Sequence, residues 1–287
     1  MMVLYAFRDR LEELYAASNR RELVHADPLA FVHRYSDAGN QELVGLIASC
    51  LAYGRVLQIR RSVEWILERM GKNPLEYLIT TTEKEFEDTF RDFVHRFTTG
   101  SEMIGTLIGI RGVIDRYGSI ENCMAAGMTG NRRSGRSGDS PVLSGLCRLA
   151  EEINHPLGGG YNSLVPWPEK GSAVKRLNLY LRWMVRRDEV DPGVWKSISP
   201  VELIVPLDIH MFRISRLLGL TDRKQADMKT AREVTDGFRL ISPDDPVKYD
   251  FALASLGIQN GTGERSLSDI LEKERTTEIF PFDCIPE

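Results

Sequence analysis

Apolar residues recur at spacings of three and four along nearly the whole chain, the period of an α-helix with one buried face. The pattern predicts helices over residues 3–18, 28–35, 40–53 and 57–71, then near 83–97, 101–117, 141–153, 171–187, 209–219, 226–239 and 246–257. Asp27-Pro28 and Gly71 punctuate the first group, a start signal and a stop signal respectively. Two-residue alternation is weak throughout, and no internal repeat is present, so the expected fold class is all-α. Two stretches interrupt the rhythm. Thr129 to Ser140 (TGNRRSGRSGDS) has no apolar anchor and reads as a flexible loop. His155 to Gly171 (HPLGGGYNSLVPWPEKG) is rich in Gly and Pro but carries Leu164, Val165 and Trp167, the mark of a long ordered loop with a function.

Composition narrows the class. A chain of 287 residues that is 42% hydrophobic and 27% charged can bury a sizeable core. It contains no apolar run long enough to span a bilayer, and MMVLYAFRDRLEEL turns charged too early for a signal peptide. A soluble cytoplasmic protein without a membrane partner is expected. Cys50, Cys123, Cys147 and Cys284 never approach a metal-binding spacing, and the five histidines form no ligand pattern, so neither a metal nor another cofactor is expected. The net charge of −4 hides a segregation: Lys170 to Arg232 holds 13 basic and 7 acidic residues, a net of +6, against −10 elsewhere.

That basic segment holds the two stretches with candidate chemistry. In EKGSAVKRLNLYLRWMVRR the apolar face is Ala173, Leu177, Tyr180, Leu181 and Met184. Lys175, Asn178, Arg182 and Arg186 form a polar stripe of the same helix, either a solvated face or a face turned to phosphates. In VPLDIHMFRISRLLGL, Asp208 stands between an apolar entry (Leu203, Ile204, Val205) and the first turn of an amphipathic helix. A carboxylate there caps the helix, or is held at its mouth to do chemistry.

The order of these pieces, Gly171 and Lys175 on a helix followed by Val205-Pro206-Leu207-Asp208-Ile209-His210-Met211-Phe212-Arg213, resembles the helix-hairpin-helix–Gly/Pro–Asp superfamily of DNA glycosylases, nearest the archaeal 8-oxoguanine glycosylase branch. Glu42 to Ile59 (ELVGLIASCLAYGRVLQI) and Pro246 to Gly257 (PVKYDFALASLG) look like an early buried helix and a late helix of that superfamily. The hairpin reads Lys170-Gly171-Ser172-Ala173 instead of Gly-x-Gly, and only Cys284 follows Asp208, which leaves no iron–sulfur loop. The chain also resembles an uncharacterised prokaryotic family with the strings LAYGR, KRLNxxLRWMVR and DPVKYDFAL.

The first resemblance implies a two-lobed helical fold. Residues 41–199 would form a helical barrel with a hairpin-like region at 166–187, and residues 200–287 a C-terminal lobe joined by the N-terminal helices of 1–40. It implies a monomeric DNA repair enzyme that excises a damaged base, an oxidised purine in the first instance, from a damaged duplex, with or without strand cleavage. Asp208 would stabilise an oxocarbenium-like state and Lys175 would supply the amine nucleophile, with Lys170 and Lys196 as alternatives. Arg182, Arg186, His210, Arg213 and Arg216 would contact DNA phosphates. Tyr53 and Arg55 read as a helix C-terminus or part of a base pocket, and Trp167 as a core aromatic or part of the same pocket. Two other readings stay open: a non-catalytic nucleic-acid-binding protein of the same fold, and an enzyme acting on a small nucleoside or RNA.

Overall fold

Apolar side chains from Leu177 to Val185 are buried on every side of their helix, and in the computed structural model this helix runs through the interior. The structure describes residues 7–129, 140–158 and 162–258. The expected loop is therefore described only at Thr129 and Ser140, the Gly-rich loop is described apart from 159–161, and the segment expected as a C-terminal lobe is described to Ile258, with Cys284 outside the described residues.

The described residues form α1 (Arg8–Ser18), α2 (Ala38–Cys50), α3 (Val56–Met70), α4 (Pro74–Thr80), α5 (Glu83–Phe90), α6 (Gly100–Tyr117), α7 (Ile120–Thr129) and α8 (Pro141–Asn154). The chain continues with α9 (Lys175–Val185), α10 (Ile209–Leu217), α11 (Met228–Ile241) and α12 (Asp250–Ile258). The fold is all-α, with one small hairpin of β1 (Val94–His95) and β2 (Thr98–Thr99). None of the described helices is long and apolar enough to cross a membrane. Buried apolar residues from Phe7 to Leu253 make one continuous cluster.

Local chemistry sets the helix starts. Asp37, Asn73, Thr82, Thr99, Asp208 and Asp227 each stand at an N-cap and accept a backbone N–H of the first turn. Thr82 with Glu85 and Thr99 with Glu102 form full capping boxes. Several starts lie away from the expected ones. Residues 28–35 form a 3-10 helix, Pro28–Arg34, and α4 and α7 are short helices that the apolar period does not reveal. The helix expected over 83–97 stops at Phe90 and gives way to the hairpin. His95 explains why: it is fully buried, with Ser62 Oγ 2.8 Å from Nδ1 and the Tyr53 carbonyl 3.1 Å from Nε2. Those bonds hold the chain across α3 and the end of α2, while Arg96 turns it at φ 55°.

Glycines let α8 sit close to its neighbours. A Cβ on Gly109 of α6 would overlap the Ile153 carbonyl of α8, and one on Gly127 of α7 would meet the Gly145 backbone at 2.8 Å. On the same α6, a Cβ on Gly112 would meet nothing within 4 Å. Gly109→Ala is therefore expected to lower stability by about 1–3 kcal/mol through overpacking. Gly112→Ala is expected to be neutral or to gain up to about 1 kcal/mol from helix propensity. Urea denaturation of the two variants separates the effects; equal midpoints would contradict the packing account.

At the other end of the chain, α1 lies on the approach to α12. Glu12 accepts hydrogen bonds from Lys248 Nζ and Tyr249 Oη, both at 2.7 Å. The Gly-rich loop is ordered where it is described. Leu164 and Val165 are fully buried, and Asn162 bonds Thr106 and Asn154 at 3.1 and 2.8 Å.

Candidate functional site

Two helix N-termini, those of α9 and α10, are brought face to face by a third helix. The lead-in to α9 bends at Gly171, with φ 83°, and Ser172 pairs with Asp227, the cap of α11. Met228 N–H of α11 donates to the Gly171 carbonyl at 3.1 Å. The lead-in to α10 is the buried stretch Leu203 to Leu207, and its Val205 N–H donates to Thr235 Oγ1 of α11 at 3.0 Å. With both lead-ins fastened to α11, Lys175 Nζ lies 3.4 Å from Asp208 Oδ2. The two carboxylate oxygens divide the work: Oδ1 accepts the Met211 N–H at 2.8 Å, as a cap does, and Oδ2 faces the amine. Both side chains are about one-third exposed, so the pair is open to a ligand. Val174, just before Lys175, is buried in the left-handed region at φ 37°. A β-branched residue is strained there, and the surrounding packing holds it in place.

Beyond Lys175, the polar stripe of α9 does not face solvent. Arg182 is 2% and Arg186 4% exposed, and Asn178 is buried with them. This overturns the expectation that Arg182 and Arg186 contact DNA phosphates, since neither guanidinium reaches the surface. Arg182 Nη1 donates to Asp250 Oδ2 at 2.5 Å and its Nε to Asp191 Oδ1 at 3.2 Å. Arg186 binds Asp191, holds Asp245 Oδ2 at 2.8 Å through Nε, and lies 3.0 Å from Asp188 Oδ2. Two guanidiniums thus serve four carboxylates. Burial pushes the Asp191 carboxyl up to about 6, opposed by Arg182 and Arg186. Burial likewise raises Asp250, opposed first by Arg182, and both Asp208 and Lys175 act on its charge. The buried network therefore reaches the Lys175–Asp208 pair electrostatically from behind.

The remaining expected residues fall on two sides of this pair. His210, Arg213 and Arg216 are exposed on α10, and Ile209 beside Asp208 is 64% exposed. Tyr53 is half-buried after α2, with its hydroxyl 3.0 Å from the His95 carbonyl. Phe97, at the hairpin tip and 60% exposed, stacks on the Tyr53 ring at 5.1 Å. Arg55 is exposed, and Trp167 is partly buried ahead of the 3-10 turn Pro168–Lys170. Lys170 and Lys196, the other amine candidates, are exposed, and Lys175 is the one that meets Asp208.

Sequence reasoning overlooked Arg176 and Asp250. The Arg176 guanidinium lies 4.7 Å over the Tyr53 ring and donates to the Cys50 carbonyl and, at 2.6 Å, to the Ser163 carbonyl. It joins the end of α2 and the Gly-rich loop to the residue next to Lys175. Asp250 had a usable signal, a lone carboxylate opening the otherwise apolar run FALASLGI, which calls for a buried cation. Among the described residues, no group of three or more His, Cys, Asp or Glu is placed to hold a metal ion.

A family described as a protein of unknown function (DUF2400) matches residues 27–259 of the chain. No curated protein and no solved structure matches it.

Proposed function

We propose that this chain, which belongs to the DUF2400 family, is a DNA glycosylase of the helix-hairpin-helix type that removes a damaged purine through Lys175 and Asp208. The observation that carries the reading is the Lys175 amine 3.4 Å from a carboxylate that is fixed by its own helix and still partly exposed. Cleavage of an N-glycosidic bond builds positive charge on the sugar, which an anion at a fixed distance stabilises. Asp208 Oδ2 is placed to accept a proton from the Lys175 ammonium. The freed amine lone pair then attacks the anomeric carbon, the bond to the base breaks, and the base leaves with the electron pair and takes up a proton. One of the two protons left on the amine then passes to the sugar ring oxygen as the ring C–O bond breaks, leaving a protonated Schiff base on Lys175.

The duplex hides that bond, so the nucleotide has to be extruded toward the pair. His210, Arg213 and Arg216 on α10 would then meet phosphates, and the stacked Tyr53 and Phe97 rings offer an aromatic surface on the Arg176 side.

With duplexes carrying oxidised purines, borohydride should reduce the Schiff base and trap a covalent protein–DNA adduct on Lys175, and Lys175→Gln should form none. An adduct of full yield in Lys175→Gln would reject the assignment. Salt-sensitive duplex binding without base release or adduct would identify the non-catalytic binding protein instead. Base release from free nucleosides without duplex affinity would identify the enzyme of small substrates.

A further inference from the structure

The C-terminal end of α9 opens on a second feature, at the opposite end of that 11-residue helix from Lys175 and so roughly 16 Å away along its axis. A cavity of about 500 Å³ is lined there by Arg21, His33, Arg34, Tyr35, Gln41 and Arg187, with Ser36, Asp188 and Pro192 completing the wall. Its charges divide into compensated and uncompensated groups. Arg34 is held by both oxygens of Glu64, at 2.6 and 2.7 Å. Asp188 spends its carboxylate on Tyr15 Oη, Arg186 and the N–H groups of Val190 and Asp191. Arg21 and Arg187 have no carboxylate partner among the described residues. Two exposed arginines therefore line one polar cavity with no counter-ion of their own among the described residues.

We propose that this cavity is a binding site for the phosphate group of a small molecule up to the size of a mononucleotide, held by Arg21 and Arg187. A guanidinium presents a planar fork that matches phosphate oxygens, and two of them on one cavity supply the charge that a phosphomonoester carries. A volume near 500 Å³ lies in the range of small-ligand sites. Tyr35 and Pro192 add an apolar wall for the rest of the ligand, and Gln41 and Ser36 add polar groups. The other source of the same chemistry is a backbone phosphate of a nucleic-acid strand lying over this face.

His33 makes the site sensitive to pH. Its Nε2 bonds the Val190 carbonyl at 2.7 Å, and burial, followed by the charge of Arg21, disfavours its protonated form against the pull of that carbonyl and Asp27. Arg34, which is paired with Glu64, and Arg187 and Asp188 also line the cavity around the ring. A bound phosphate favours the imidazolium, so anion binding and protonation of His33 support each other.

The test is calorimetric titration of the full chain in phosphate-free and sulfate-free buffer with inorganic phosphate, adenosine 5′-monophosphate and adenosine. Expected are saturable one-to-one binding of the monophosphate and none of adenosine. Arg21→Gln with Arg187→Gln should weaken it at least ten-fold; both side chains are exposed, so an unchanged melting temperature is expected, and the single Arg187→Gln gives the same reading if the pair does not fold. The absence of saturable binding by either phosphate compound, or an affinity unaltered in the variants, would overturn the proposal. Duplex affinity of the same variants separates the two sources: unaltered, the ligand is a free small molecule; reduced in parallel, it is the phosphate of a strand. Borohydride trapping at Lys175 in the unaltered chain reads the Lys175–Asp208 pair, and monophosphate titration reads the cavity, so the two proposals fail separately.

Discussion

Arg182→Ala is expected to lower folding stability by about 3–5 kcal/mol, the cost of leaving buried carboxylates without their cation. The side chain is 3% exposed and is the group that joins Asp250 to Asp191, so its loss strands one carboxylate and leaves the other to Arg186. Chemical denaturation gives the difference directly, and a variant within about 0.5 kcal/mol of wild type, the range of an ordinary surface change, would refute the burial.

The sign of the pH dependence follows from burial. Asp191 titrates near 6 in the folded chain, above the ordinary carboxylate range of about 4. The folded state therefore binds more protons than the unfolded state between those values. The associated stability is fully present below the unfolded pKa and is lost as pH rises through 6. Removing Arg182 removes a cation that holds both Asp191 and Asp250 down, so both carboxyls rise further. The deficit of Arg182→Ala should thus shrink as pH falls from 7 to 5. A deficit that grows on acidification would show that the carboxylates stay ionised and are stabilised by other partners.

The same arginine marks where sequence reading reached its limit. Periodicity of 3.6 placed Lys175, Asn178, Arg182 and Arg186 on one face, and they do share one, but the inference that a charged face meets solvent failed. A helix buried all round normally reads as apolar all round. Here the polar face is buried because Asp191, Asp245 and Asp250 come to it from later segments, at separations of up to 68 residues. Nothing in the local spacing announces a partner that distant. Asp208 was legible for the opposite reason: its cap bond to Met211 is three residues away, and an apolar entry followed by an amphipathic turn is a local pattern. Its nearness to Lys175 depends on α11 bracing both lead-ins, through Gly171–Met228 and Val205–Thr235, which no single segment encodes. The hairpin was missed because it rests on His95, whose bonds to Ser62 and Tyr53 run to other elements.

Asp208 serves as a cap and, on the function proposed above, as a reacting group, and two substitutions separate the roles. Asparagine is as good an N-cap as aspartate, so Asp208→Asn should keep the Met211 bond and hold stability close to wild type. It removes the negative charge from the oxygen that faces Lys175 and cannot take the ammonium proton. Losing a preorganised charge that acts only as the transition state forms costs roughly 10²–10³ in kcat. Base release by Asp208→Asn should fall by that factor while duplex affinity stays within about two-fold. Asp208→Ala should show the same loss of turnover and, in addition, about 1 kcal/mol of lost stability, because the α10 cap goes with the carboxylate. The pair of measurements is decisive in both directions. If Asp208→Asn releases base at the wild-type rate and only Asp208→Ala is altered, through stability, then the carboxylate at this helix mouth is a cap, and Lys175 lies beside it as an ordinary ion-pair partner.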